Sequence, residues 1–352
     1  MLKLLSILLS PLALLYGLIV KIRNYLFDWG ILKSVSFNKS IICVGNITVG
    51  GTGKTPHVEF LLKLLSKDFS IATLSRGYGR KTKGFYYVTD NSTSNEVGDE
   101  PLQMKLKFPS VNVAVDGDRR NGIARLINDS PNLDVIILDD AMQHRWVKPG
   151  FTILLIDYNR LITRDFFMPV GRLRDSVKEK RRAEVVIVTK CPLDICTEQM
   201  NGIEMELGLV ANQSIYFTGI GYGEPRPIFA EYGRRLILNE QQDIFAFAGI
   251  ANPTFFYSYI KSKAKLIETY TFSDHFTFSK SKISPIFENY LKYEPLGKSI
   301  ITTEKDAARL RGIENLDEEF KKALFYIPIE IKFVDNNENS FINQILTYAR
   351  KN

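Results

Sequence analysis

A glycine-rich run ending in lysine and threonine, Gly45-Asn-Ile-Thr-Val-Gly-Gly-Thr-Gly-Lys-Thr-Pro56, stands between an apolar stretch and a helical one at 57–67. Such a turn lets successive backbone N–H groups converge on phosphate oxygens, and the dipole of the following helix adds to the attraction. Thr48, Val49, Gly50, Gly51, Thr52 and Gly53 form the expected cradle. Lys54 is placed to reach β- and γ-phosphates, and Thr55 to hold Mg²⁺ through its hydroxyl. The strict pattern wants glycine six residues before the lysine, where this chain has Thr48. The metal also needs a carboxylate at the end of a neighbouring strand. Asp134-Val-Ile-Ile-Leu-Asp-Asp140 offers two, Asp139 and Asp140, where its apolar run stops. These residues point to a magnesium nucleotide and phosphoryl chemistry.

The acceptor is harder to read. A guanine reader usually carries Asn/Thr-Lys-x-Asp after a late strand, but Thr189-Lys190-Cys191-Pro192 has proline where the aspartate belongs, which favours ATP. A hydroxyl acceptor must lose its proton, so a carboxylate oriented by a histidine is a reasonable requirement. Three loop carboxylates, Asp99, Asp118 and Asp175, are candidate bases that spacing cannot rank. The three histidines, His57, His144 and His275, all lie next to polar or turn residues. Basic loops follow expected strands at 75–81, 118–120 and 168–175, and arginine is the side chain that grips phosphate oxygens in a fixed orientation. Aromatic residues are not interleaved with these basic ones in a stacking platform, which disfavours nucleic acid. A membrane-associated partition-type ATPase is the alternative, although the early second lysine of such cradles is replaced by Thr48 and Val49.

The elements that must position these groups follow a parallel-sheet rhythm. Apolar runs at 41–45, 70–75, 111–115, 134–138, 152–156 and 184–189 lack in-out alternation, the pattern of strands covered on both faces. That predicts a doubly wound, mostly parallel α/β sheet, with ligands outside the carboxyl ends of its strands. A second, smaller α/β group is expected, with strands near 243–248, 266–272 and 299–303 and helices near 254–262 and 281–292. The turn-rich stretch at 219–227 is the boundary between them. Three parts are therefore expected: a hydrophobic helix at 1–35, a P-loop domain at 36–218, and a smaller domain at 219–352 whose last residues pack back on the first.

Residues 4–20 are apolar apart from Ser6, Ser10, Pro11 and Gly17, and Lys21 and Arg23 follow at once. The run is slightly short of the ~20 residues of a full crossing, and the basic residues after it would hold the rest on the cytoplasmic side. A membrane anchor, spanning or interfacial, is expected. With 352 residues, 45% hydrophobic and 24% charged, the chain is a folded protein rather than a disordered or fibrous one. Three scattered cysteines cannot form a disulfide framework. A net charge of +7 suits anionic partners without choosing among them.

Read in order, the motifs resemble the tetraacyldisaccharide 4'-kinases of lipid A synthesis. They are the apolar amino-terminal helix, the cradle at 45–56, Leu74-Ser-Arg-Gly-Tyr-Gly-Arg80, Gly98-Asp-Glu-Pro101, Leu138-Asp-Asp-Ala-Met-Gln-His144, Gly171-Arg-Leu-Arg-Asp175, Gly249-Ile-Ala-Asn-Pro253, Asp274-His275 and Thr303-Glu-Lys-Asp-Ala307. A small hydroxyl residue at the Thr48 position is usual in that family. The resemblance implies transfer of the ATP γ-phosphate to the 4'-hydroxyl of a membrane-embedded lipid A disaccharide 1-phosphate. The reaction would take place at the cytoplasmic leaflet of the bacterial inner membrane, by a monomer. It implies that Asp99 and His275 act as the proton-accepting dyad, that Arg174 neutralises charge at the transferring phosphate, and that Asp139, Asp140 and Asp175 serve the metal. The family more often has Asp-Asp-Gly where Ala141 stands and Arg-Glu in place of Arg174-Asp175, so the shorter carboxylate would reach the metal through water. His275 falls in the second domain and the cradle in the first, so an open resting form that closes on ATP and lipid is expected.

Overall fold

The computed structural model describes residues 2–351 apart from 233, 234, 275, 295, 296 and 314; for residues 2–6 it gives the backbone alone. Two compact units divide the chain. The first comprises Met1–Asp90, Met104–Ile220 and Ile331–Asn352, and the second Asn91–Gln103 and Gly221–Glu330. A linear division would put Asp99 with the phosphate cradle. The fold instead lends 13 residues from the first half of the chain, Asn91–Gln103, to the second unit.

The first sheet holds β1 (Ser40–Gly45), β2 (Ile71–Ser75), β3 (Tyr86–Tyr87), β4 (Asn112–Val115), β5 (Val135–Asp139), β6 (Phe151–Asp157), β7 (Val185–Thr189) and β8 (Ser214–Tyr222). The second sheet holds β9 (Arg226–Pro227), β10 (Asp243–Ala248), β11 (Lys265–Thr271), β12 (Ser299–Thr303) and β13 (Leu324–Ile327). A last strand, β14 (Ile329–Phe333), returns to the first sheet, whose order is β14-β8-β7-β6-β1-β5-β2-β4-β3. In the first sheet β1 pairs in parallel with both β5 and β6, and the parallel run continues through β2 and β4 on one side and β7 and β8 on the other. Every residue of β1, β2, β5 and β7 is buried, as their unbroken Val/Ile/Leu composition demands. The second sheet runs β11-β10-β12-β13-β9, parallel except for the β9 edge.

The crossover order explains where chemistry can sit. The chain leaves β1, enters helix α2 (Lys54–Leu65) and reaches β2, while β5 lies between the two strands. Carboxyl ends of β1 and β5 are therefore neighbours, with Val44 opposite Asp139 in register. That is the crevice in which doubly wound sheets bind ligands.

The amino-terminal helix α1 (Leu2–Asp28) is long and apolar enough to cross a bilayer. Within it Ala13, Gly17, Val20, Asn24 and Phe27 are buried, a 4-3-4-3 spacing that makes one stripe along the helix. Leu8, Leu12, Leu15, Ile19 and Ile22 face outward and are exposed. Gly17 lets the helix approach: a Cβ there would lie 2.6 Å from Phe167 Cδ2.

Candidate active site

The cradle is built by backbone conformations that only glycine adopts freely. Gly50 and Gly53 have φ of 109° and 81°, and the chain then enters α2 at Lys54. Three bonds hold the turn from beneath. Asn46 Nδ2 donates to the Thr52 hydroxyl at 2.8 Å, and the Thr189 hydroxyl at the end of β7 donates to the Thr52 carbonyl at 2.9 Å. His57 Nδ1 lies 2.7 Å from the Gly53 carbonyl. A carbonyl only accepts, so Nδ1 carries the proton and Nε2 accepts from the Thr218 hydroxyl at 3.1 Å. Burial drives the His57 pKa down to about 4, which keeps this ring neutral. Thr189 and Lys190, which came near a guanine-reading motif, thus serve another purpose: the first braces the cradle, and the second pairs with Asp157 at 2.6 Å.

Beside the cradle runs the segment 172–174, joined to it as a short antiparallel bridge. Thr48 is opposite Leu173, Val49 N–H donates to Arg172 O at 2.7 Å, and Arg174 N–H donates to Ile47 O at 2.8 Å. This bridge fixes Arg174. Its guanidinium donates to both oxygens of Asp140, at 2.7 and 3.2 Å, and to Asn46 Oδ1. Lys54 Nζ approaches the same carboxylate at 3.8 Å. Burial by itself would raise the Asp140 pKa, but Lys54, Arg174 and Arg119 outweigh it and hold the group below its ordinary value. Asp140 adopts a left-handed φ of 48°, a conformation aspartate tolerates, and its N–H donates to Val44 O. Asp139 is buried at the last position of β5.

The three candidate bases separate cleanly. Asp118 caps the helix Arg119–Asp129, accepting from Arg120 N–H at 3.0 Å and from its guanidinium at 2.8 Å, so its bonding is local. Asp175 is buried and turned onto α1: its Oδ1 accepts from Asn24 Nδ2 at 2.6 Å and from Ser176 N–H at 2.8 Å. The structure therefore does not bring the Asp175 carboxylate to Asp139 and Asp140; among the described residues no cluster of three acidic, cysteine or histidine groups forms a ready metal cage. Asp99 opens the helix Asp99–Lys107 in the second unit. Arg309 Nε and Nη2 both donate to its Oδ2, at 3.1 and 2.8 Å. The same guanidinium reaches Asp306 Oδ1 at 2.9 Å and Gly249 O at 3.2 Å, and Asp306 accepts in turn from Gly249 N–H and the Thr303 hydroxyl. Sequence reasoning singled out the segments around Gly249 and Thr303 without a role; their role is this clamp. Arg309 itself was missed, and its spacing of three from Asp306 on one helix was the available signal. His275 lies outside the described residues.

His144, which closes the Asp139–Asp140 loop, has Nε2 at 3.7 Å from Asp118. Burial and the nearby Arg119 push its pKa down to about 4, so it is neutral as well.

Comparison with known proteins finds relatives that match over nearly the whole chain. A family model described as tetraacyldisaccharide-1-P 4'-kinase (LpxK) matches residues 5–350. Curated relatives named tetraacyldisaccharide 4'-kinase include one from Bacteroides thetaiotaomicron, 44% identical over 98% of this chain and 93% of the relative, and one from Bacteroides fragilis, 46% identical over the same shares. Another, from Flavobacterium johnsoniae, is 44% identical over 99% of both chains. Among solved structures, the "apo" form of LpxK from Aquifex aeolicus in complex with ATP superposes with a TM-score of 0.74 at 27% identity, covering 98% of this chain and 99% of that one.

Proposed function

This chain belongs to the tetraacyldisaccharide-1-P 4'-kinase family, and from that premise we propose which of its residues carry the reaction. The enzyme transfers the γ-phosphate of ATP to the 4'-hydroxyl of tetraacyldisaccharide 1-phosphate, giving lipid IVA in lipid A biosynthesis. The partition-ATPase alternative falls, because the relatives that match across the full length are kinases.

The observation that carries the assignment is the Thr48–Leu173 bridge, which puts Arg174, Lys54 and Asp140 around one glycine turn. Residues 48–55 wrap the triphosphate, with the backbone N–H groups not spent inside the fold, as that of Val49 is on Arg172 O, turned to phosphate and Lys54 on the β- and γ-oxygens. Arg174, a planar fork already aimed into the site, neutralises charge that grows on the transferring phosphoryl group. Asp140 holds both cations beside the glycine turn, so that neither must be recruited from solvent. The Thr55 hydroxyl at the start of α2, with Asp139 at the end of β5 and Asp140 after it, supplies hard oxygen donors. Such a set fits Mg²⁺, which takes one or two carboxylates and completes its shell with phosphate oxygens and water. Bound there, the ion would neutralise phosphate charge. Asp175 is the weakest member of the family's metal set here, because its Oδ1 is committed to Asn24.

Asp99 is the base that takes the 4'-hydroxyl proton, with His275 as its partner. The support is the Arg309 clamp, whose two N–H groups converge on one oxygen of Asp99 and fix the direction of the carboxylate. The roles proposed above require a single copy of the chain.

The helix α1 lies in the membrane interface rather than crossing it. Its buried stripe is docked on the first unit from Ala13 to Phe27, and a helix held along that length presents only its outward apolar side to lipid. Trp29, Ile31 and Phe166 extend the exposed apolar surface, and Lys21 and Lys33 suit the anionic cytoplasmic leaflet of the inner membrane. The test is incubation with radiolabelled ATP, Mg²⁺ and the lipid disaccharide in detergent. A labelled lipid is expected; label appearing only as inorganic phosphate would end this reading.

A further inference from the structure

The docked stripe of α1 carries an amide where an apolar residue would pack better. Asn24 is 3% exposed, and its Oδ1 is buried without a hydrogen-bond partner. Burying such a group costs free energy, so its one good bond is made at the expense of stability. That bond, from Nδ2 to Asp175 Oδ1 at 2.6 Å, holds the residue next to Arg174. Eight residues earlier on the same helix the Tyr16 hydroxyl donates to the carbonyl of Arg174 itself, at 3.0 Å. Further contacts around Asn24 point the same way. Arg23 donates to Gln143 O at 2.5 Å, Gln143 Nε2 donates to Asn46 O at 2.7 Å, and Arg145 donates to Asn24 O at 3.1 Å.

Arg174 is consequently held from two sides. Its N–H is fixed by Ile47 of the cradle, and its carbonyl and the following side chain are fixed by α1. With the peptide groups before and after Arg174 both held, the backbone at this residue and the direction of its Cβ are fixed, and from there the guanidinium reaches Asp140 and Asn46. An anchor alone would need none of this: apolar packing at positions 16 and 24 would seat the helix as well or better.

We infer that α1 is a positioning element of the kinase as well as its anchor: Tyr16 and Asn24 set the direction of Arg174, so that correct seating of the helix is a condition for fast phosphoryl transfer. This rests on the role of Arg174 given above. Orientation errors of about 1 Å at a transferring group cost on the order of 10²-fold in rate, whereas ground-state nucleotide binding is shared among many backbone donors.

The experiment uses the full chain with three substitutions, Tyr16→Phe, Asn24→Leu and Arg174→Ala, each assayed with lipid substrate in detergent. Thermal midpoint and co-sedimentation with anionic phospholipid vesicles are measured in parallel. Tyr16→Phe, which removes one oxygen, is expected to lower kcat by about fivefold to thirtyfold. The KM for ATP should stay within about twofold, with vesicle binding and thermal midpoint near the parent's. Asn24→Leu is expected to do the same without loss of stability. If both variants keep kcat within about twofold of the parent while Arg174→Ala is strongly impaired, the helix is an anchor only and the inference is overturned, though the role of Arg174 stands. If Arg174→Ala is itself unimpaired, both fall together.

Discussion

Arg309 places two N–H groups, Nε at 3.1 Å and Nη2 at 2.8 Å, on the same oxygen of Asp99, 210 residues away in sequence. The guanidinium is itself fixed by Asp306, which is fully buried, and by the Gly249 carbonyl. An ion pair of this kind fixes the direction of a carboxylate, which is the condition the proposed base must meet if it is to take a hydroxyl proton from one side.

Removing that clamp should separate orientation from charge. Arg309→Gln leaves Asp306 buried without its cation, so stability should fall by roughly 3 kcal/mol, the usual cost of breaking a buried pair. Its kcat should fall at least about tenfold. Arg309→Lys keeps the charge but loses the fork, and is expected to recover stability more than rate. Thermal melts and steady-state kinetics at saturating ATP read the two effects apart; equal recovery of both by lysine would contradict an orienting role.

The nucleotide side makes a different forecast. Arg174→Ala should lower kcat by about 10³-fold, the scale for an arginine that stabilises phosphoryl transfer. ATP binding by calorimetry should change far less. Lys54→Met should weaken both. Arg174→Ala also removes a cation from Asp140, which Lys54 still reaches at 3.8 Å; an ATP affinity that collapses in this variant would mean Arg174 is a ground-state ligand instead.

Histidine burial sets an acid limit to stability. His57 titrates at about 4 in the fold against an ordinary 6.5. Between these values the unfolded chain binds more protons than the folded one, so stability is full above about pH 6.5 and is lost as pH falls toward about 4. The shift corresponds to a loss on the order of 3 kcal/mol, and His144 adds in the same direction. His57→Asn keeps a donor for the Gly53 carbonyl and removes the titration. Urea unfolding from pH 7 to pH 4 should therefore show a shallower decline in this variant, and an unchanged slope would acquit His57.

Docking of α1 can be opened without touching a polar group. A side chain at Gly17 meets the Phe167 ring at 2.6 Å, so Gly17→Val should push the helix off and destabilise the protein by about 1–3 kcal/mol, the range for overpacking. Vesicle binding should persist, since the outward face of α1 is unaltered. A variant that keeps full stability would show that the helix is not seated on Phe167.

Much of this was legible in the residues because it is local. Gly50 and Gly53, followed by Lys54 and Thr55, specify a turn and a helix start within a dozen positions, and the unbroken apolar runs of β1, β5 and β7 announce strands covered on both faces. Strand β8 was harder to read: it runs to Tyr222, into the turn-rich stretch at 219–227 that marked the domain boundary, because Gly219 can sit in a strand close against Cys191 O and Leu193. Asp118 illustrates the limit at the site. By type and loop position it was as good a base as Asp99, and only its bonds to Arg120 show it to be a helix cap.

Sequence alone thus determined the phosphate cradle, the alternating strand–helix architecture and the apolar helix, since each is written in a short motif or an unbroken apolar run. Tertiary structure decided the rest. It put Leu173 against Thr48, Arg309 against Asp99 and Asn24 against Asp175, and it assigned Asn91–Gln103 to the second unit. Those contacts join residues 125 to 210 positions apart, or segments whose own composition is unremarkable to any local pattern. Which partner each charged or amide group finds depends on how the sheets order their strands and where the chain crosses between units, and no periodicity along the chain encodes that choice.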